Sequence, residues 1–225
     1  LVGRYAQMQK DYLRALPNDR KDARLAVWLR DPVEALRQVA LEIITARIGD
    51  GRRPEGDLRD ALFGLIRDPS AVLRREAIKV VENLQDAAAL QPVLDALADE
   101  HDASVRRGML RALGNLGQSG AIPVLIREIG RAGVAPSCEV QAATSLAQLA
   151  ARTTDRALLD TAIEPLRARY ASADAADTVL RAALVGAMSA AAPQAFRETF
   201  HQAITLDDAR YLVPAIRGLA AASDV

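Results

Sequence analysis

Two stretches of this chain repeat one another, and that repetition limits the possible folds more than any other feature. Arg30-Asp-Pro-Val-Glu-Ala-Leu-Arg37-Gln-Val-Ala40 returns as Arg67-Asp-Pro-Ser-Ala-Val-Leu-Arg74-Arg-Glu-Ala77, and a looser copy follows at Glu100-His-Asp-Ala-Ser-Val105-Arg106-Arg-Gly-Met109. Aligning the first buried aliphatic of each copy gives Leu36, Leu73, Val105, Cys138 and Leu180, spaced by 37, 32, 33 and 42 residues. Irregular periods of this size mark stacked two-helix units, because loop insertions are tolerated where the units turn. Each unit is too small to bury its apolar face alone and needs its neighbour.

Apolar residues recur at helical spacing almost everywhere, and strict two-residue alternation is essentially missing. Leu58, Ala61, Leu62, Leu65 and Ile66 form one stripe, and Leu73, Ala77, Val80, Val81 and Leu84 form the next. Each stripe runs three or four turns before a breaker, the length of ordinary globular helices. Asp31-Pro32 and Asp68-Pro69 each end one helix and open another, since proline fits a first turn and pushes the residue before it out of the helical region. Gly114, Gly117 and Gly120 surround the end of the third second-helix. The stripes predict about six antiparallel helix pairs from near Lys21 to near Ala222, preceded by an extra helix over Arg4–Leu16. The expected fold is an all-α, right-handed α-solenoid. Residues 1–225 are expected to form one continuous domain, and the start at Leu1 suggests a segment of a longer protein.

Half the residues are hydrophobic, but only three are Phe and one is Trp. Such an alanine-rich interior suits closely spaced helices. Twenty-nine basic residues balance 29 acidic ones, so no net field draws the chain toward nucleic acid or anionic lipid. The preponderance of arginine over lysine reads as GC-rich bacterial coding bias, not as a binding signal. No apolar run approaches the roughly 20 residues that span a bilayer. Cys138 is the single cysteine, which excludes an intrachain disulfide and a cysteine metal cluster. The redox compartment is therefore open; a cytoplasmic location is favoured, and a removed signal peptide stays compatible.

The pattern of Asp31-Pro32 with Leu36-Arg37 and Ala40, Asp68-Pro69 with Leu73-Arg74 and Ala77, and Val105-Arg106 with Ala112-Leu113-Gly114 resembles the HEAT-repeat family, particularly its bacterial short-repeat branch. Ala121-Ile-Pro-Val-Leu125 looks like that family's usual first-helix opening. The match spans roughly residues 24–150 and then fades: Glu139 replaces the arginine of the fourth repeat, and the fifth keeps only Leu180-Arg181. In such an architecture Asp31, Arg37, Asp68, Arg74 and Arg106 are expected to form a structural ladder. The aspartates would accept from backbone N–H groups at helix starts, and the arginines would reach an acidic residue of their own or a neighbouring repeat.

The resemblance also places the exposed face of the second helices on the concave side. Residues one, five and nine after each repeat arginine share a helix face: Gln38, Glu42 and Ala46; Arg75, Lys79 and Asn83; Arg107, Arg111 and Asn115. Stacked, Arg75, Lys79, Arg107, Arg111 and Asn115 would make a basic patch for a protein or acidic peptide, unless Glu76 and Glu82 neutralise it. Nucleic acid is not expected, because several phosphate contacts need a more basic surface.

Chemistry-bearing motifs are absent from the sequence. His101 and His201 have no partner at metal-ligand spacing, and His-Glu pairs such as those of a di-iron hydroxylase within the family do not occur. Cys138 falls where a small core aliphatic belongs, and Trp28 shares a stripe with Leu25 and Leu29. No nucleophile elbow, phosphate loop or dinucleotide fingerprint is present. The expectation is a non-catalytic scaffold without cofactor. The competing class is a HEAT-like enzyme or enzyme subunit, resembling a bilin lyase or a DNA glycosylase; the latter would need a basic groove with exposed aromatics.

Overall fold

The computed structural model describes residues 2–206 and 208–223, and no β-strand occurs among them. It divides into two compact units, Leu1–Val105 and Arg106–Val225. The first unit holds helices α1 (Val2–Ala15), α2 (Asn18–Leu29), α3 (Glu34–Gly49), α4 (Gly56–Gly64), α5 (Ala71–Leu84) and α6 (Leu90–Asp99), with the opening turn of α7 (Ala103–Leu116). The second holds the rest of α7 and α8 (Ile122–Glu128), α9 (Pro136–Ala150), α10 (Arg156–Asp160), α11 (Ile163–Ser172), α12 (Thr178–Ala191), α13 (Arg197–Ile204) and α14 (Ala209–Ser223).

In the first unit α2 packs on α3 and α4 on α5, while α2 also touches α4 and α3 touches α5. Successive pairs therefore stack first helix on first helix and second on second. Their interior is aliphatic: Leu25, Leu62, Ile66, Leu73, Ala77 and Ile78 have almost no exposed surface, and Trp28 joins them. Alanines at the contact positions, such as Ala26, Ala40 and Ala77, are fully covered. Short side chains there let neighbouring helices approach closely.

The second unit repeats the scheme. Helix α8 packs on α9, α11 on α12 and α13 on α14, and the second helices α9, α12 and α14 stack in series. Leu146, Leu184, Val185, Phe200 and Tyr211 fill the space between them. The first helix of the fifth pair is broken: α10 ends at Asp160, and α11 resumes at Ile163. Asp155 and Asp177 cap α10 and α12 by accepting from Leu158 N at 3.0 Å and Leu180 N at 3.1 Å. These caps do the work of the Asp-Pro turn where that motif has disappeared.

Two glycines have distinct roles near the end of α7. Gly117 terminates the helix with φ +72°, a conformation that L side chains rarely adopt. Gly114, grouped with it in the sequence as helix-end punctuation, lies inside α7. A Cβ there would lie 2.7 Å from Gln148 Oε1 and 2.8 Å from Ser145 Cβ, so its bare backbone permits the close approach of α7 and α9.

Candidate functional site

The turn between first and second helices presents the repeated acid and base. Asp31 Oδ1 accepts from Val33 N, and Asp68 Oδ1 from Ser70 N, both at 2.8 Å. Arg37 reaches the next repeat: its Nε and Nη2 donate to Asp68 Oδ2 and Oδ1 at 2.6 and 3.1 Å. Its Nη1 turns back to the carbonyls of Asp31 and Pro32. Arg74 copies this arrangement, donating to the Asp68 and Pro69 carbonyls and to both oxygens of Glu100 at 2.7 and 2.9 Å. Each arginine thus ties its own turn to the turn that follows. Arg37 and the Asp68 carboxylate meet across adjacent repeats, Asp31 reaches Arg37 only through its backbone carbonyl, and Glu100 takes the acidic position of the third repeat.

Burial raises the acidity threshold of the Glu100 carboxyl, but the Arg74 guanidinium and the backbone N–H groups of Asp102 and His101 outweigh it and hold the group below its ordinary range. The same pairing holds Arg74 above its ordinary value, despite the opposing effect of desolvation.

The first rung of the second unit is more deeply buried than those of the first unit. Arg106 Nε and Nη2 bind the Glu128 carboxylate at 2.9 and 2.7 Å, and the two side chains are 7% and 2% exposed. Arg131 adds a contact to Glu128 Oε1 at 2.7 Å. In the fourth repeat the polarity reverses. Glu139 stands where the arginine belongs and accepts from Arg169 Nε and Nη2 at 2.5 and 3.0 Å, and from the Gly130 N–H at 2.7 Å. Arg181 keeps the older role, donating to the Tyr170 and Ala173 carbonyls with its guanidinium 4.1 Å from the Tyr170 ring centroid.

Glu100, Glu128 and the Glu139–Arg169 pair were not picked out from the sequence, although a signal for the first two exists. A carboxylate falls three residues after a buried residue near each first-helix end: Trp28 and Asp31, Leu65 and Asp68, Leu97 and Glu100, Leu125 and Glu128. A search confined to the Asp-Pro dipeptide stops after the second of these.

The second-helix faces differ between positions. On α5 the Glu76 carboxylate lies 2.9 Å from Lys79 Nζ and 3.8 Å from Arg75 Nε, so this pair of cations shares an acidic neighbour. On α7, Arg107 and Arg111 are exposed and Asn115 is half-buried. The four cations thus fall two on each unit. On α3 the same face carries exposed Gln38 and Glu42, with Lys10 of α1 bonded to Glu42 at 2.9 Å.

His101 and His201 are both exposed, and the described residues include no group of three or more His, Cys, Asp or Glu able to hold a metal ion. Cys138 is buried, and desolvation pushes its thiol above the ordinary range, which disfavours the reactive thiolate. No described helix is long and apolar enough to cross a membrane.

Helix pairs stacked through like-on-like contacts and tied by an arginine–carboxylate ladder define an α-solenoid repeat protein. Residues 22–114 and 60–147 each match the family model for HEAT repeats, together more than half the chain, and the chain belongs to that family. Among solved structures it is similar to a designed armadillo repeat protein in complex with the peptide (KR)4, with a TM-score of 0.67 and 20% identity over 88% of this chain and 98% of that one. It is also similar to a chain of the complex of CpcE and CpcF of phycocyanin lyase from Nostoc sp. PCC7120, with a TM-score of 0.61 and 21% identity over 74% of this chain. An engineered protein matches with a TM-score of 0.64 and 16% identity over 95% of this chain. The chain spans 65% of that lyase-complex chain and 61% of that engineered protein. At these identities the likeness is one of fold. No curated protein matches the chain in sequence.

Proposed function

We propose that this chain is a non-catalytic scaffold that binds a protein partner along the exposed faces of its second helices, with an acidic peptide segment as the partner class. The observation that supports this reading is a pair of basic side chains four residues apart on each of two second helices, Arg107 and Arg111, both exposed, on α7 and Arg75 and Lys79 on α5. A stack whose turns are locked by Arg37, Arg74 and Arg106 holds such side chains in place before a ligand arrives, which lowers the ordering cost of binding. The similar designed armadillo protein was solved with a peptide, and the similar lyase chain in a complex of two proteins, which supports a binding role. The likeness to the lyase chain also supports a second reading, a subunit of a lyase-type enzyme, in which this chain would serve by holding its partner subunit.

The test uses a fluorescein-labelled peptide of alternating glutamate and serine. Anisotropy should report binding to the wild-type chain, and charge reversal at Arg75, Lys79, Arg107 and Arg111 should weaken it at least tenfold with unchanged helicity. Equal binding by the quadruple variant would rule the basic faces out.

A further inference from the structure

The charges of the second unit are sorted by helix layer. Its second helices α7, α9, α12 and α14 carry one carboxylate between them, Glu139, and that group is turned into the rung with Arg169, its side chain 12% exposed. The second helices of the first unit differ, with Glu34 and Glu42 on α3 and Glu76 and Glu82 on α5. Close packing sets the register of α7 beside α9. Gly114 lies against Ser145 and Gln148, and a Cβ on Gly117 would lie 3.4 Å from Arg152 Nη1. Burial pushes the Cys138 thiol up and the charges of Arg106 and Arg107 oppose it, which sets Arg107 near the first turn of α9. The two helices therefore run in the same direction, with Arg107 at one end of their seam, Arg111 a turn further on and the Arg152 guanidinium at the other end. All three are exposed, and Arg107 and Arg152 enter no ion pair with the described residues. Gln148, half-exposed on the same seam, keeps a buried Oε1 without a donor.

Resting on the binding reading above, we propose that the acidic segment docks on this α7–α9 seam, extended along α7, with carboxylates at alternate positions on Arg107 and Arg111 and a third at Arg152. Charge complementarity names the occupant: the seam presents three guanidinium groups, and neither helix exposes a carboxylate beside them. Asp155, three residues beyond Arg152, is held at the α10 cap by the Leu158 N–H. A carboxylate accepts both N–H groups of a guanidinium fork, and such charge-assisted pairs are the stronger kind. Spacing sets the pattern of the segment. At a helical rise of about 1.5 Å per residue, Arg111 lies about 6 Å and Gly117 about 15 Å beyond Arg107. Alternate residues of an extended segment point to one face about 7 Å apart, so three of them span about 14 Å. Turned outward, the Gln148 amide offers its Oε1 to a main-chain N–H of such a segment.

The experiment measures anisotropy of two fluorescein-labelled nonapeptides at low salt, each with three glutamates in a glycine–serine background. One has them at positions 3, 5 and 7, on one face of an extended chain; the other has them at positions 2, 5 and 8, which alternate between faces. The wild-type chain should bind the first at least threefold more tightly. The R107E and R111E double variant should weaken that binding at least tenfold and erase the preference, and R152E should weaken it at least threefold. The R127E and R197E double variant alters net charge as much as the first, at exposed positions of the first helices α8 and α13, and should bind within twofold of wild type. Circular dichroism checks that each variant stays folded. Equal affinity for the two peptides, undiminished binding by either seam variant, or an equal loss in the R127E and R197E variant overturns the proposal. If the variant with Arg75, Lys79, Arg107 and Arg111 reversed loses binding while R107E and R111E together keep it, this assignment fails alone and the general reading stands. If the wild-type chain binds neither peptide at millimolar concentration, both fall.

Discussion

Replacing Arg106 by methionine isolates what the ladder contributes to the second unit. Methionine keeps an unbranched apolar stem but removes the guanidinium hydrogen bonds to Glu128, whose side chain is 2% exposed. Stripping one partner from a buried pair typically costs about 3–5 kcal/mol, because the remaining charge stays desolvated. Arg131 stays 2.7 Å from Glu128, but it is 43% exposed, and its offset is about 1 kcal/mol or less. The expected loss is therefore about 2–4 kcal/mol. Urea unfolding followed by circular dichroism should show a midpoint lower by roughly 1 M or more with an unchanged slope, given slopes of about 1–3 kcal/mol per molar. Substituting Glu128 by leucine as well removes the stranded charge, so the double variant should return to within about 1 kcal/mol of wild type. A single variant as stable as wild type, or a double variant weaker than the single, would refute the reasoning.

The reversed rung makes a sharper demand on the same logic. E139R should destabilise the second unit by confronting Arg169 with a like charge, and adding R169E should recover most of the loss in urea unfolding; full recovery is not expected, because the Gly130 N–H loses its acceptor. Acid should weaken the first unit through Glu100, whose folded carboxyl lies below its ordinary value of 4.5. A depressed carboxylate contributes stability that is complete above its ordinary value and lost as pH falls through the folded one. The stability difference between wild type and E100Q, measured by urea unfolding, should accordingly be constant near neutrality and shrink as pH drops below 4.5; a difference that grows with acid would contradict the assignment.

The helical repeat was legible because burial needs leave a period in the sequence. Leu73, Ala77, Val81 and Leu84 lie on one α5 face and are buried, and the stripes of the other second helices behave alike. The turns were legible where proline marks them, at Asp31-Pro32 and Asp68-Pro69. They were less so where a glutamate three residues after a core leucine does the same work, as at Glu100 and Glu128. The Glu139–Arg169 rung was opaque for a different reason. Its partners lie 30 residues apart with their charges exchanged, so no motif of fixed polarity can find it. Surface chemistry was the least readable level. Arg75 and Lys79 were visible as cations, but whether Glu76 engages them depends on side-chain geometry, and the seam that brings Arg152 beside Gly117 exists only once α7 and α9 are side by side.

The most direct test separates stacking chemistry from surface chemistry in one protein. For the variant with Arg75, Lys79, Arg107 and Arg111 reversed to glutamate, melting temperature and acidic-peptide affinity are measured on the same sample. A scaffold whose turns hold the stack while its outer helix faces hold the partner should keep its melting temperature within a few degrees and lose binding at least tenfold. Retained binding, or a collapse in melting temperature, would contradict that division of labour.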